Sequence, residues 1–303
     1  PKNDYVDSFV IADCLRFGRI NKEVYLDDYR YAALKNLTRA RFFAVQNLTR
    51  EKQRFMNHLF KKYSTMAQEK VFSDTFSTTA LAVYESFESA EALANMDLHQ
   101  LTEFIIEKGK KRFPDPDSVA KAIQKAARSS YRLPKTVNDS VNQVLSISIS
   151  SMRAMESQIK AFDKAIAEQM ALIPNTLTSV KGIGPVYSAG IIAEIGDINR
   201  FPTQASLAKY AGLVWSQHQS GDFEAQNTRM IHSGNRYLKY YLCEAALSLV
   251  RCDTEYRSFY HRKYNEVSQY QHKRALALTA RKLVRLVFRL LKDNCLYRAP
   301  ESK

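Results

Sequence analysis

The chain has 303 residues, 45% of them hydrophobic, so a sizeable core is within reach and wholesale disorder is excluded. Its 45 Lys and Arg against 31 Asp and Glu leave a formal charge of +14, which points to a polyanionic partner, nucleic acid before any other. No apolar run is long enough to span a membrane, and the four cysteines form no Cys-x-x-Cys pair, which sets aside a zinc framework and a disulfide scaffold and favours a reducing, cytoplasmic setting.

The charge is uneven. From Arg251 to Lys303 there are 13 Lys and Arg against 5 Asp and Glu, an excess of 8 in the last sixth of the chain. Glycine (9) and proline (8) are scarce, and the glycines gather between Gly182 and Gly234. Long 3.6-residue patterns fill the rest, so the fold class is mostly α. The chain opens at Pro1 in a polar run without Met, and further sequence is expected upstream.

In chain order, the first helical pattern carries Phe9, Val10, Ala12, Leu15 and Ile20, with Gly18 placed as a C-cap. Asp4 and Asp7 open it. At i, i+3 they project two carboxylates from one face, which suits Mg²⁺, or they favour the helix dipole. A long helix is predicted from about Tyr29 to Met66, with Leu34, Leu48 and Phe55 on one heptad frame and Val45, Leu59 and Met66 on another. A second carries Met152, Met155, Ile159, Phe162, Ile166 and Ile173. Together they suggest an antiparallel coiled-coil-like arm, or ordinary packing within one bundle. Between them lies an insert, about 73–140, divided by Phe113-Pro114-Asp115-Pro116 into short helices with no visible chemistry. Pro174 opens a terminal domain.

That domain holds the richest stretch. Val180-Lys181-Gly182-Ile183-Gly184-Pro185 lies between apolar patterns and resembles a helix-hairpin-helix motif. Its glycines let backbone amides approach a phosphate, and the following helix adds a positive dipole. The alternative is a helix–helix turn that binds nothing. A polar loop with Ser220 and Gly221 follows. It can present an exposed hydroxyl for attack on a phosphodiester, although Ser-Gly pairs are also common turn residues. Next, Gly234-Asn235-Arg236 opens an apolar helix, placing Asn235, Arg236 and Lys239 near its start, within reach of a phosphate or as a capped, solvated end. Last comes a basic amphipathic helix over Lys273–Asp293, carrying Arg281, Lys282 and Arg285. The rings and cations of Tyr256–Tyr264 precede it, either to stack on unpaired bases or to pack the helix down.

Taken together and in order, these pieces resemble the IS110/IS1111 family of transposases. The matching residues are Lys2-Asn3-Asp4-Tyr5-Val6-Asp7 leading to Leu15-Arg16-Phe17-Gly18, then Gly182-Ile183-Gly184-Pro185, Glu194-Ile195-Gly196-Asp197 with Arg200-Phe201, Ala211-Gly212-Leu213, Ser220-Gly221, Gly234-Asn235-Arg236 with Leu238, and Ala280-Arg281-Lys282-Leu283. Where the family often has Pro after Ala-Gly-Leu, this chain has Val214-Trp215. The insert has no motif to compare.

The resemblance implies three parts: residues 1–28 as the C-terminal remnant of an RNase H-like (RuvC-type) domain, 29–173 as the arm with its insert, and 174–303 as a helical transposase domain with the hairpin motif. It also implies an Asp-Glu-Asp-Asp tetrad holding Mg²⁺. Asp4 and Asp7 match its last two acids, and the first two are expected upstream of Pro1. Ser220 matches the serine that would form a phosphoserine link to DNA, with Ser216 as the fallback. DNA, a structured guide RNA and further copies of the chain, as a dimer or tetramer, are the implied partners, in the nucleoid of a prokaryotic cell. The first alternative is a catalytically incomplete DNA/RNA-binding helical module that uses the hairpin and the basic C-terminus. A second makes the arm an oligomerisation device alone.

Overall fold

The structure is a computed structural model, and it describes residues 3–18, 28–69, 71–110, 113–216, 219–220, 223–224 and 229–298. The chain separates into two compact units. One comprises residues 37–165; the other joins residues 1–36 to residues 166–303. The two long helices pass through both, so the boundary crosses the arm rather than its ends.

The first helix, α1 (Asp4–Arg16), starts at Asn3, whose side chain accepts from the Val6 amide, and stops just before Gly18 at φ 61°. It begins where the acids are, four residues earlier than the apolar pattern alone suggests. None of its residues is buried; Phe9, Ile11 and Leu15 are all more than half exposed.

In the unit of residues 37–165, α2 (Tyr29–Lys62) and α8 (Lys135–Met170) supply the predicted long helices. They run antiparallel: Arg41 pairs with Asp163, Glu51 accepts from Ser148, and Lys52 lies 3.6 Å from Glu156. The predicted helix to Met66 breaks at Tyr63, and α3 (Ser64–Gln68) restarts it. Of the expected seam, Phe55, Leu59, Met66 and Met152 are buried, whereas Leu48 is only partly so.

The insert folds as α4 (Thr78–Ser86), α5 (Ala90–Asn95), α6 (Leu98–Gly109) and α7 (Pro116–Ser129). Each starts where the sequence places a capping side chain, at Ser77, Ser89, Asp97 and Asp115. Pro116 at the first position of α7 supplies a preset φ and lacks only an amide that would be orphaned anyway. These helices enclose Leu93, Leu101, Ile105 and Ile123 together with Phe55 and Tyr63 of the arm and Leu145 and Ile149 of α8. The insert thus shares one core with the distal part of the arm.

In the other unit, α9 (Pro185–Ile195) is buried from Ser188 to Ile195, as expected of a mostly apolar helix, and only its first turn reaches the surface. α11 (Arg236–Cys252) packs on it, and α12 (Thr254–Asn265) and α13 (Gln271–Lys292) pack on α11 and on each other. The short α10 (Gln204–Tyr210) rests on α13, opened by a Thr203/Ser206 capping box. A small hairpin interrupts the helices: β1 (Gln219–Ser220) runs antiparallel to β2 (Phe223–Glu224), and together they form the only sheet among the described residues. The polar sequence there points to a loop instead. Below it, Trp215 bridges Met230, and Ser216 and Ile231 donate backbone bonds to Arg229 and Val214.

Candidate functional site

The motif residues after Pro174 meet around one buried carboxylate. Glu194, fully buried near the end of α9, accepts from Asn235 Nδ2 at 2.7 Å. The same Nδ2 lies 3.1 Å from the Tyr210 hydroxyl. On its other side, Asn235 Oδ1 accepts from the Tyr237 and Leu238 amides and so caps α11, while the Asn235 amide donates to the Tyr210 carbonyl at 2.7 Å. Arg200 donates to the Glu194 carbonyl at 3.3 Å and lies over the rings of Phe201 and Tyr210, 4.6 and 4.7 Å from their centroids. A carboxylate buried this deeply persists only because polar groups converge on it. Asn235, expected to contact DNA, has both its amide oxygen and its amide nitrogen engaged in this knot.

The knot roots the hairpin. Gly212 ends the turn after α10 at φ 69°, and Gly234 precedes α11 at φ 118°. A Cβ on Gly212 would lie 2.6 Å from the Ser233 carbonyl oxygen, and one on Gly234 would lie 2.6 Å from the Gly212 nitrogen. The two backbones therefore touch at the base, and both residues sit where side chains are strained. Next to this base Trp215 bridges Met230, and further along the chain β1 pairs with β2. Ser220 pairs with Phe223 in the distal ladder. Its side chain lies outside the described residues, as do His218, Gly221 and Asp222. Ser216, in the stem, donates its hydroxyl to the Arg229 carbonyl at 3.0 Å.

The glycine turn lies on the same unit. Leu177–Ser179 form a single 3-10 turn where a first helix of the hairpin motif was expected. The chain then passes through Lys181 and Gly182 to Gly184, the N-cap of α9. The two glycines differ in kind. Gly182 lies against α11, where a Cβ would come within 3.3 Å of Leu249, and its φ is 109°. Gly184 faces open space, and no side chain caps the amides of the first turn of α9. An anion approaching there meets exposed backbone and a positive helix end, with Lys181 exposed beside it.

The other expected contacts divide similarly. Arg236 is exposed at the first position of α11, with its guanidinium on the Tyr237 ring at 4.7 Å and a bond to the Tyr237 hydroxyl. Lys239 is half-buried one turn on. Arg281 donates to Gln204 at 2.8 Å; burial first, then the nearby Arg285, holds its guanidinium below the ordinary value. Lys282 pairs with Glu255 at 2.5 Å and lies over Tyr256 and Phe259. Arg285 is exposed. Tyr256 and Tyr260 are buried, so in α12 these rings pack the helix down rather than offer themselves to bases.

Asp4 and Asp7 are exposed in the first turn of α1. Among the described residues, no three His, Cys, Asp or Glu side chains gather into a metal-binding group. The free thiol of Cys243 is pushed up to about 11 by burial, so it is no rival nucleophile. Glu194 stands in the sequence as a motif residue to which the pattern assigns no role. Its signal was a lone acid inside an otherwise apolar helix.

Residues 175–261 match the model of the transposase IS116/IS110/IS902 family, and residues 1–63 match a second model described as a transposase. Both ends of the chain are thus similar to transposases of the IS110/IS116/IS902 type. It is 26% identical over 310 aligned positions to the insertion element IS116 uncharacterized 44.8 kDa protein of Streptomyces clavuligerus, covering 98% of this chain and 72% of that one. It is 33% identical over 145 residues to the insertion element IS110 uncharacterized 43.6 kDa protein of Streptomyces coelicolor, covering 48% of this chain and 34% of the relative. A probable family 20 transposase of Pseudomonas aeruginosa is 32% identical over 98 residues, 32% of this chain and 27% of that one. The matches thus span about a third or less of two of these relatives. No described helix is long and apolar enough to cross a membrane.

Proposed function

We propose that this chain takes part in DNA strand exchange by phosphoryl transfer, with Ser220 as the nucleophile. The observation that carries the reading is the rooted hairpin: a backbone ladder, clamped at Gly212 and Gly234 over the Glu194–Asn235 knot, sets Ser220 in its distal strand pair. Ser216 is the weaker candidate because its hydroxyl is held by the stem. In the reaction, the serine oxygen attacks a DNA phosphorus and a phosphoserine ester forms. One deoxyribose oxygen leaves and takes up a proton in exchange for the one the serine gives up. Attack by that hydroxyl of another strand reverses the bond and joins the strands.

The exposed end of α9 at Gly184, with Lys181 and the Arg236 guanidinium, grips the phosphate backbone without reading sequence. Asp4 and Asp7 supply two carboxylate oxygens toward Mg²⁺. Such a share fits the way this ion is held, by one or two carboxylates with substrate phosphates and water. Bound there, Mg²⁺ would neutralise charge that develops on the phosphoryl oxygens. In this reading α1 is the last helix of an RNase H-like domain, a structured RNA directs target choice, and further copies of the chain complete the assembly in the cytoplasm, on the nucleoid.

The test is a covalent-adduct assay on DNA carrying the element's ends, with the protein extended as its relatives are. Ser220→Ala is expected to abolish the protein–DNA adduct while leaving DNA affinity within about twofold. Adducts that persist in that variant rule the serine out. Binding of Mn²⁺ in the presence of DNA, read by electron paramagnetic resonance, should weaken in Asp4→Asn/Asp7→Asn.

A second reading is a DNA/RNA-binding module without catalysis. The exposure of Asp4 and Asp7 on α1, none of whose residues is buried, favours it. It predicts salt-sensitive binding with no Mg²⁺-dependent strand breakage.

A further inference from the structure

The C-terminal segment after α13 encloses a second feature, away from the knot. Between α12, α13 and residues 295–298 lies a cleft of about 670 Å³, a volume in the range of small-ligand sites. Its wall is apolar and aromatic: Leu286 and Leu290 from α13, Tyr256 from α12, and Leu296 and Tyr297 from the segment. Tyr297 is half-buried, and Leu296 is 67% exposed. Burial, with Asp253 and Glu255 nearby, raises the Tyr297 hydroxyl above its ordinary value, so the ring is a neutral surface at any physiological pH.

The rim is cationic. Lys282 contributes little net charge, since Glu255 lies 2.5 Å from it. Arg289 lies 3.7 Å from the exposed Asp293. Arg285 and Arg298 have no ion-pair partner among the described residues. Guanidinium forks beside an open aromatic and aliphatic wall suit one chemistry above others: a phosphate joined to a flat base.

The cleft is also built rather than incidental. The Cys295 amide donates to the Leu290 carbonyl, the Tyr297 amide donates to Ser179 Oγ at 2.9 Å, and Thr176 Oγ1 donates to that same Leu290 carbonyl at 3.1 Å. Ser179 closes the 3-10 turn that leads into the glycine turn. The segment is thus tied to the element expected to hold the phosphate backbone.

We infer that this cleft seats one unpaired nucleotide of a nucleic-acid strand, its phosphate on Arg285 and Arg298 and its base against Tyr297 and Leu286. A paired base is stacked on both faces and cannot lie on such a wall, so the seat distinguishes single-stranded from duplex substrate. The inference rests on the proposed function only in taking nucleic acid as the partner.

The experiment measures fluorescence anisotropy of short labelled single-stranded DNA, single-stranded RNA and duplex DNA with the 303-residue chain. Circular dichroism checks that each variant is folded. The double variant Arg285→Gln/Arg298→Gln, and separately Tyr297→Leu, are expected to weaken single-strand binding about tenfold and duplex binding less than twofold. Lys181→Glu, in the glycine turn, should show the opposite pattern. A loss confined to RNA or to DNA assigns the seat to that strand; a loss on both assigns it to the single-stranded form they share. Equal losses on single strands and duplex overturn the unpaired-nucleotide seat, as does competition by polyglutamate as strong as that by mononucleotide. Unchanged single-strand binding in the cleft variants, with duplex binding lost in Lys181→Glu, overturns the cleft and leaves the proposed function standing. No loss in any variant overturns both.

Discussion

The two units bury charge in opposite ways. In the unit of residues 37–165, the buried ion is Lys62, 2% exposed, whose ammonium donates to the Tyr84 carbonyl at 2.9 Å and lies 5.1 Å from the centre of the Tyr63 ring. Its ammonium bonds to one backbone carbonyl, beside a core made mostly of aliphatic and aromatic side chains. In the other unit, buried Glu194 sits where α9, α11 and the end of α10 meet, and its partner Asn235 also caps a helix. A charge held by one bond can be exchanged for an apolar group. A charge shared among several elements cannot, because each element depends on the others. The first unit therefore behaves as a scaffold, and the second holds a particular loop in a particular place.

Asn235→Ala should break this contrast most severely. It strips Glu194 of its amide partner and α11 of its cap together, at a cost of about 3 kcal/mol. Denaturant unfolding followed at Trp215 measures it. A loss under 1 kcal/mol would mean that Glu194 has other support. Asn235→Asp keeps a capping oxygen but sets a second carboxylate beside Glu194, so it should rescue little.

Gly212→Ala acts next. Its Cβ would collide with the Ser233 carbonyl at a positive φ, costing about 2 kcal/mol. Adduct formation should suffer more than stability does, because the substitution displaces the root of the hairpin. An equal fall in both would remove the hairpin from the proposed site.

The smallest effect belongs to the scaffold. Lys62→Met should change stability at pH 7 by no more than about 1 kcal/mol, since an apolar side chain of similar length fills the same space. Its pH dependence is the sharper measurement. Burial lowers the Lys62 ammonium from 10.5 to about 8, with Glu88 opposing. Between those values the unfolded chain holds a proton that the folded chain has released, so stability rises with pH across that window. Below about 8 both states are protonated and the full penalty remains. Relative to Lys62→Met, the native chain should gain about 2 kcal/mol between pH 7 and pH 10. A flat difference would show that Lys62 keeps its charge through contact with water.

Much of this was legible in the sequence through local rules. The Phe113–Pro116 breaker marked a division of the insert into short helices, heptad spacing marked the two long helices, and scarce glycine marked the class. Less legible were features that need two distant segments. Tyr63 breaks α2 because the core of the insert takes its ring, and nothing near Tyr63 announces that. The apolar spacing of α8 did not show that Leu145 and Ile149 would face the insert. At the candidate site, the residues of the Gly-x-Gly turn and of Gly234-Asn235-Arg236 were visible as motifs, but their spacing did not distinguish a phosphate ligand from a structural tie.

By itself the sequence determined the helical class, the basic charge and the two long helices, since these follow from composition and periodicity. Only the tertiary structure decided the division of labour within the motifs. Gly184 is open while Gly182 is pressed against α11. Asn235 is spent on Glu194 while Arg236 faces outward. Lys282 is neutralised while Arg285 borders a cleft. Each pair has near-identical neighbours along the chain, and the difference arises from which side of the backbone meets another element.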